Sequence, residues 1–319
     1  METPQIGDVV RLGAHRWQGS AVTRVPTPPA PVLVLGAIAS VQSGAAVATR
    51  LFPDVGPGGT VLLRLGISAL MLTAVVRPPL RDRPRSDLLW GVAYGLTLAA
   101  MNATFYEALS RIPLGVGVTI EFIGPLTVAV AGSRRAVDGL WVLLAATGVV
   151  LLTATGGHID GIGVLFALIA GACWALYILL AQRAGRIFPG ASGLTVALCV
   201  ATLLTLPLGL ISAGSRLWNA SVIGRGAAVA VLSSAVPYSL ELFALRRMRA
   251  SVFGVLMSVE PAMAAVSGLL FLGQHLAVRE WIAIVCVVVA SVGATRGTPV
   301  RDMPAEPGAS PTETLVSTQ

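Results

Sequence analysis

The chain has 319 residues, 55% of them hydrophobic and only 12% charged, with a mean hydropathy of +0.81. A soluble domain carries about 25% charged residues, so this composition excludes an ordinary soluble fold. The net charge is +7 and all 22 basic residues are arginine, which removes the phosphate-binding loop lysine, the Schiff-base lysine and the Ser-x-x-Lys acylation motif.

Residues 1–30 hold Arg11, Arg16, Arg24 and a proline-rich stretch at 26–31, without the arginine, short apolar run and small-residue order of a cleaved signal peptide. They read as a cytoplasmic N-terminal extension. Apolar stretches long enough to cross a bilayer then follow at about 31–50, 58–77, 88–110, 113–133, 138–156, 160–182, 191–213, 223–245, 250–272 and 277–295. Residues 296–319 are rich in Pro, Thr and Ser and read as a disordered cytoplasmic tail. Cys173, Cys199 and Cys286 are isolated within apolar runs and read as small buried side chains, and the three histidines form no metal-spaced pair. No metal and no cofactor is expected.

Of the 22 arginines, Arg50, Arg111, Arg216, Arg225 and Arg279 fall on one face, Arg64 lies inside a span, and the other 16 fall on the opposite face. Arginine accumulates on the cytoplasmic side, so both termini are expected inside and a nucleic-acid partner is not needed to explain the charge. A displacement of 136 residues carries Ala108–Arg111 (ALSR) onto Ala244–Arg247 (ALRR), Val116 onto Val252, Pro125 onto Pro261 and Ala129–Gly132 (AVAG) onto Ala265–Gly268 (AVSG). With five spans in each half, the second half enters the membrane upside down. The expected fold class is an all-α polytopic membrane protein with about ten transmembrane helices as two inverted five-helix repeats, residues 31–156 and 160–295.

Ionisable groups are expensive in hydrocarbon and face a bundle interior or a water cavity. Four carboxylates fall within spans: Glu107, Glu121, Glu241 and Glu260. Glu121 and Glu260 stand near the middle of the fourth and ninth spans, beside Pro125 and Pro261, which remove backbone donors and leave polar notches. Gly124 is the repeat counterpart of Glu260 and joins the two prolines as a helix-break or gating position. Glu107 lies four residues before Arg111, the spacing of an interfacial ion pair. Glu241 admits both a site role and a salt bridge with Arg246 or Arg247. Arg64 is placed either to meet a substrate carboxylate or to neutralise Glu121 or Glu260. Gln42, Asn102, Trp174, Tyr177 and Tyr238 are polar or aromatic at similar depth, whereas Trp90, Trp141, Trp218 and Trp281 fit an interfacial belt.

Six segments carry a resemblance to a known family. They are SVQSGAAVATRLFPDVG (Ser40–Gly56), IEFIGPLTVA (Ile120–Ala129), SRRAVDGLWVLLA (Ser133–Ala145), GACWALYILLAQRAG (Gly171–Gly185), LSSAVPYSLELFAL (Leu232–Leu245) and FGVLMSVEPAMAAVSGLLFLGQ (Phe253–Gln274). Together they resemble the EamA-type drug/metabolite transporters, and within them the bacterial threonine/homoserine exporters, over Val32–Thr295. Glu121, Glu241, Glu260 and Arg64 fall at family positions, while Gln274 stands where the family usually places Glu. The resemblance implies two EamA-like repeats and a multi-pass exporter of the bacterial inner membrane.

The expected function is secondary active export of small amino acids such as threonine and homoserine, with protons as the coupling ion and the lipid bilayer as surroundings. Glu121 or Glu260 would alternate between a proton and the substrate ammonium, with Arg64 at the carboxylate end. Three other readings stay open: a drug, metabolite or organic-cation exporter of the same fold, a channel, and a membrane-embedded enzyme. The last lacks an intramembrane histidine, a nucleophile motif and a metal-spaced set. The sequence sets no oligomeric state.

Overall fold

A backbone in hydrocarbon has no water to bond with, so it closes its hydrogen bonds within the segment and becomes helical. The computed structural model describes residues 28–78, 83–131, 137–153, 160–189, 191–245, 247 and 250–297. The expected N-terminal extension and C-terminal tail therefore lie almost wholly outside the described residues. No strand occurs among the described residues.

The first part of the chain forms α1 (Ala30–Thr49), α2 (Phe52–Val76), α3 (Arg85–Leu109), α4 (Leu114–Glu121), α5 (Ile123–Ala131) and α6 (Val137–Thr153). The second forms α7 (Gly161–Ile187), α8 (Ser192–Ala213), α9 (Ala220–Ala230), α10 (Val236–Leu245), α11 (Ala250–Met257), α12 (Glu260–Leu272) and α13 (Val278–Gly297). A 3-10 turn (Gly214–Trp218) follows α8, and a π turn (Val231–Ala235) joins α9 to α10. Six stretches are long and apolar enough to cross a membrane, and Leu114–Val128, Gly139–Leu151 and Ala220–Ala235 add shorter apolar helices. Leu70, Val75, Leu203, Ile211 and Leu270 lie on the outside of the bundle. Such a surface would aggregate in water and suits acyl chains. The molecule is a multi-pass membrane protein.

Prolines set the interruptions. Pro125 has no N–H for the Glu121 carbonyl one turn earlier, and the helix divides at Phe122, between α4 and α5. Pro261 has none for Met257, and the chain turns at Ser258–Val259 through bonds from Ser258 N to Val255 O and from Val259 N to Leu256 O. Pro237 likewise leaves the Ser233 carbonyl, inside the π turn. A one-turn π segment is a common response to such a break.

At the start of α2 the outcome differs from expectation. Hydropathy places the span's start near residue 58, yet the helix begins at Phe52, kinked at Gly56 with φ 69 and followed by Pro57. That φ is in the left-handed region, where glycine is strain-free. The cysteines are free and half-buried rather than fully buried. Trp218 is mostly exposed and Trp141 covers Gly293 on α13.

Helix neighbours are as follows: α2 lies along α8, α3 along α7 and α8, and α6 along α13; α1 lies along α10 and the π turn; α12 meets α1 and α4; α4 and α5 meet α7. Leu51, Val61, Tyr106, Val118, Ala197 and Val229 belong to the largest buried cluster. The tightest crossing joins α5 to α7, where a Cβ on Gly124 would overlap the Gly171 carbonyl and a Cβ on Gly171 would stand 2.7 Å from the Glu121 carbonyl oxygen.

Candidate substrate-binding cavity

The helix breaks surround a cavity of about 260 Å³. Glu121 ends α4 and Glu260 begins α12, so each of these two carboxyl side chains is delivered by a broken span. Both are buried and line the cavity, together with Gln42 from α1, Arg64 from α2, Trp174 and Tyr177 from α7 and Glu241 from α10. Glu121 is within electrostatic range of Glu260 and Arg64, and Glu260 within range of Glu241. One cavity thus gathers three carboxyl groups and one guanidinium.

Gln42 Nε2 donates to Glu260 Oε1 across 3.0 Å, a buried bond between α1 and α12. Arg64 Nη1 donates to the Tyr106 hydroxyl at 3.1 Å and its guanidinium lies 5.6 Å from the Tyr106 ring centroid. Trp174 meets Phe122, the break residue, edge-on at 5.6 Å between centroids, and Tyr177 packs on Tyr94 at 5.1 Å. Asn102 also lines the cavity and donates its Nδ2 to the Leu98 carbonyl of its own helix.

Of the residues named from sequence, Gln42, Arg64, Glu121, Trp174, Tyr177, Glu241 and Glu260 come together here. Pro125, Pro261 and Gly124 sit at the breaks instead. Tyr238 belongs to α10, and its side chain lies outside the described residues. Glu107 is elsewhere: it pairs with Arg111 at 2.8 Å, and Arg111 also reaches Asp160 at 3.4 Å. These two carboxylates, Glu107 first, raise the Arg111 pKa above its ordinary value. Glu241 makes no ion pair among the described residues.

Sequence reasoning missed Ser233, Ser234 and Tyr106. The two serines line the cavity from the π turn, and Ser234 bonds the Ser68 hydroxyl at 3.0 Å. The only signal in the sequence is a hydroxyl pair three to four residues before Pro237. No group of three His, Cys, Asp or Glu side chains able to hold a metal occurs among the described residues.

The chain is 45% identical to the threonine/homoserine exporter RhtA of Salmonella typhimurium (strain SL1344), an alignment covering 83% of this chain and 91% of that protein. The chain belongs to the EamA-like transporter family. The sequence model of that family matches residues 161–296. The threonine/homoserine exporter RhtA of Escherichia coli (strain K12) is likewise 45% identical, over 83% of this chain and 90% of its own length. A solved crystal structure of a protein superposes with a TM-score of 0.59 at 17% identity, covering 84% of this chain and 97% of that one. At that identity the likeness shows the fold alone. EamA-like proteins are transporters, so the enzyme reading falls away.

Proposed function

We propose that this protein exports small amino acids of the threonine and homoserine kind across a bacterial inner membrane, driven by protons entering in exchange. The observation that carries this reading is the pairing of Arg64 with an excess of carboxyl groups around a cavity of about 260 Å³. Sites for drug-sized ligands measure about 300–1,000 Å³, so this volume favours a small metabolite. A zwitterion presents a carboxylate to Arg64 and an ammonium to the acidic residues. Three carboxylates against one guanidinium leave room for cations, either the ammonium or protons. Names of the 45% identical relatives supply the choice of threonine and homoserine.

The alternating-access frame is a ten-span inverted repeat, 31–156 and 160–295, with both termini cytoplasmic. Several observations support it. A displacement of 136 carries the cavity-lining residues Ile38, Val41, Leu98, Met101, Phe105 and Glu121 onto Trp174, Tyr177, Ser234, Pro237, Glu241 and Met257, which line it too. The same displacement carries the break at Phe122 onto Ser258, and Arg50–Pro53 (RLFP) onto Arg186–Pro189 (RIFP). Exchanging the halves preserves the neighbour scheme, since α3 beside α7 becomes the π turn and α10 beside α1. The family match at 161–296 is as long as this displacement. More than half of the lining residues exchange in this way, which supports a cavity near the axis relating the repeats, where transporters of this kind bind substrate.

The deciding experiment reconstitutes the protein in liposomes with an imposed pH gradient and offers a labelled amino-acid panel. Saturable, gradient-dependent threonine or homoserine flux upholds the reading; no flux of any amino acid ends it. Trp174 and Tyr177 on the cavity wall favour one rival, an organic-cation exporter using an aromatic cage. In that case organic cations, and no amino acid, move across the liposome membrane.

A further inference from the structure

We infer that Glu260, Gln42 and Ser233 form a three-acceptor subsite for a primary ammonium group, an assignment that rests on the amino-acid reading and fixes which end of the cavity takes the amine. Four buried side-chain polar atoms lack a hydrogen-bond partner among the described residues: Gln42 Oε1, Ser233 Oγ, Glu260 Oε2 and Arg279 Nε. The first three belong to side chains lining one cavity, and those residues are only 2%, 4% and 6% exposed. Buried polar groups are nearly always satisfied, so three orphans on side chains that line one cavity call for a ligand group that pairs them.

Each is held where it is by a separate constraint. The Gln42 amide is oriented by its Nε2 bond to Glu260 Oε1, which leaves Oε1 of the same amide to accept. Ser233 is set by the π turn ahead of Pro237 and presses on α1 at Gly44, where an added Cβ would overlap its Oγ. Ser40 Oγ fixes α1 to that turn by donating to the Leu232 carbonyl at 2.7 Å. Glu260 is fixed at the first position of α12.

The chemistry that fits is specific. A primary ammonium has three N–H donors and no acceptor, while an amide oxygen, a carboxylate oxygen and a hydroxyl each accept. Arg64, a donor only, cannot serve the amine and is left to the carboxylate end. A quaternary cation has no N–H and would leave all three acceptors unmade. The subsite therefore selects primary amines over methylated ones, the opposite preference to an aromatic cage.

The test is titration of the full-length protein in detergent, read by the Trp174 contribution to fluorescence, with Trp174→Phe as background. The ligands are threonine, N-methylthreonine and N,N,N-trimethylthreonine, whose nitrogens carry three, two and no N–H donors. For the wild type, Kd rises about tenfold at the first methylation, the scale of one lost hydrogen bond to a charged group, and further with the trimethyl compound. Ser233→Ala weakens threonine about tenfold and leaves N-methylthreonine within about twofold, because two acceptors suffice for two donors. Equal affinities, tightest binding of the trimethyl compound, or an unchanged preference in Ser233→Ala overturn the subsite. The wild-type series needs no variant to fold. If threonine neither binds nor is exported, the amino-acid reading falls separately, and methylammonium, dimethylammonium and tetramethylammonium repeat the titration. Falling affinity along that series upholds the ammonium subsite, and a flat or reversed one removes it.

Discussion

Gln42 Nε2 and Glu260 Oε1, 218 positions apart in sequence, stand 3.0 Å apart inside the bundle and join α1 to the first residue of α12. Replacing Gln42 with Leu keeps much of the volume but removes the donor. A buried group left without its hydrogen bond costs about 1–3 kcal/mol, and each 1.4 kcal/mol is about tenfold in rate. Gln42→Leu should therefore lower the kcat/KM of labelled threonine efflux by about 10- to 100-fold with normal amounts of protein in the membrane. Unchanged efflux would mean that the contact only packs two helices.

Glu121 and Glu260 share one cavity, yet they are not repeat counterparts: the displacement of 136 carries Glu121 onto Met257 and Gly124 onto Glu260. Their roles should therefore separate. If Glu121 carries the exchanged proton, its conversion to Gln abolishes export driven by a pH gradient but spares exchange of labelled for unlabelled substrate. Glu260→Gln, which alters the ammonium subsite, weakens both. The measurement is counterflow against gradient-driven uptake for Glu121→Gln and Glu260→Gln in liposomes. Proton coupling by these residues is excluded if both variants retain gradient-driven flux. Glu107→Gln serves as control and should match the wild type, because its partly exposed pair with Arg111 contributes little.

Gly124 and Gly171 let α5 and α7 meet backbone to backbone. A Cβ at Gly124 would overlap the Gly171 backbone, and backbone cannot rotate away as a side chain can. Gly124→Ala should reduce the folded yield in membranes and lower the Tm by about 5 °C or more, as overpacking typically costs about 1–3 kcal/mol. Gly139→Ala, with nothing within 4 Å of the added atom, should behave as wild type. Equal Tm values for all three proteins, read by fluorescence melting in detergent, would contradict the close crossing.

Much of this site was legible in the sequence because hydrocarbon makes polar residues costly. Glu121, Glu241, Glu260, Arg64 and Gln42 are conspicuous against an apolar background, and burial at one cavity is the economical arrangement for them. The breaks at Pro125 and Pro261 were legible for the same reason, since a proline deletes a backbone donor wherever it stands. What stayed hidden depends on geometry that composition does not encode. Ser233 and Ser234 look like ordinary hydroxyls in a span, and only the π turn ahead of Pro237 rotates them onto the cavity wall. Tyr106 resembles a packing aromatic until its hydroxyl meets Arg64 across 42 residues. The start of α2 was misplaced because Gly56 and Pro57 resemble a loop, whereas the chain kinks there and stays helical.

Gln274 stands where the family resemblance places Glu, and the structure gives it a job at a helix end. Gly273, with φ 66, closes α12, and Gln274 N bonds the Gly268 carbonyl. That geometry aims the side chain at the start of α4, where Gln274 Oε1 accepts the Leu114 N–H at 2.9 Å. The first N–H groups of a helix have no partner of their own, so this contact caps α4 from the other half of the chain. Nearby, Arg50 donates to the Phe271 carbonyl and ties the end of α1 to α12. Loss of a helix cap costs about 1 kcal/mol, and a carboxylate at a helix N-terminus gains about 0.3–1 kcal/mol over a neutral group. Gln274→Ala should lower the Tm by about 2 °C, and Gln274→Glu should raise it by about 1–2 °C. The check is a melting series in low and high salt: the Glu variant's advantage should shrink as salt screens the helix dipole. A Glu variant less stable than wild type would show that the neutral amide is required at this contact.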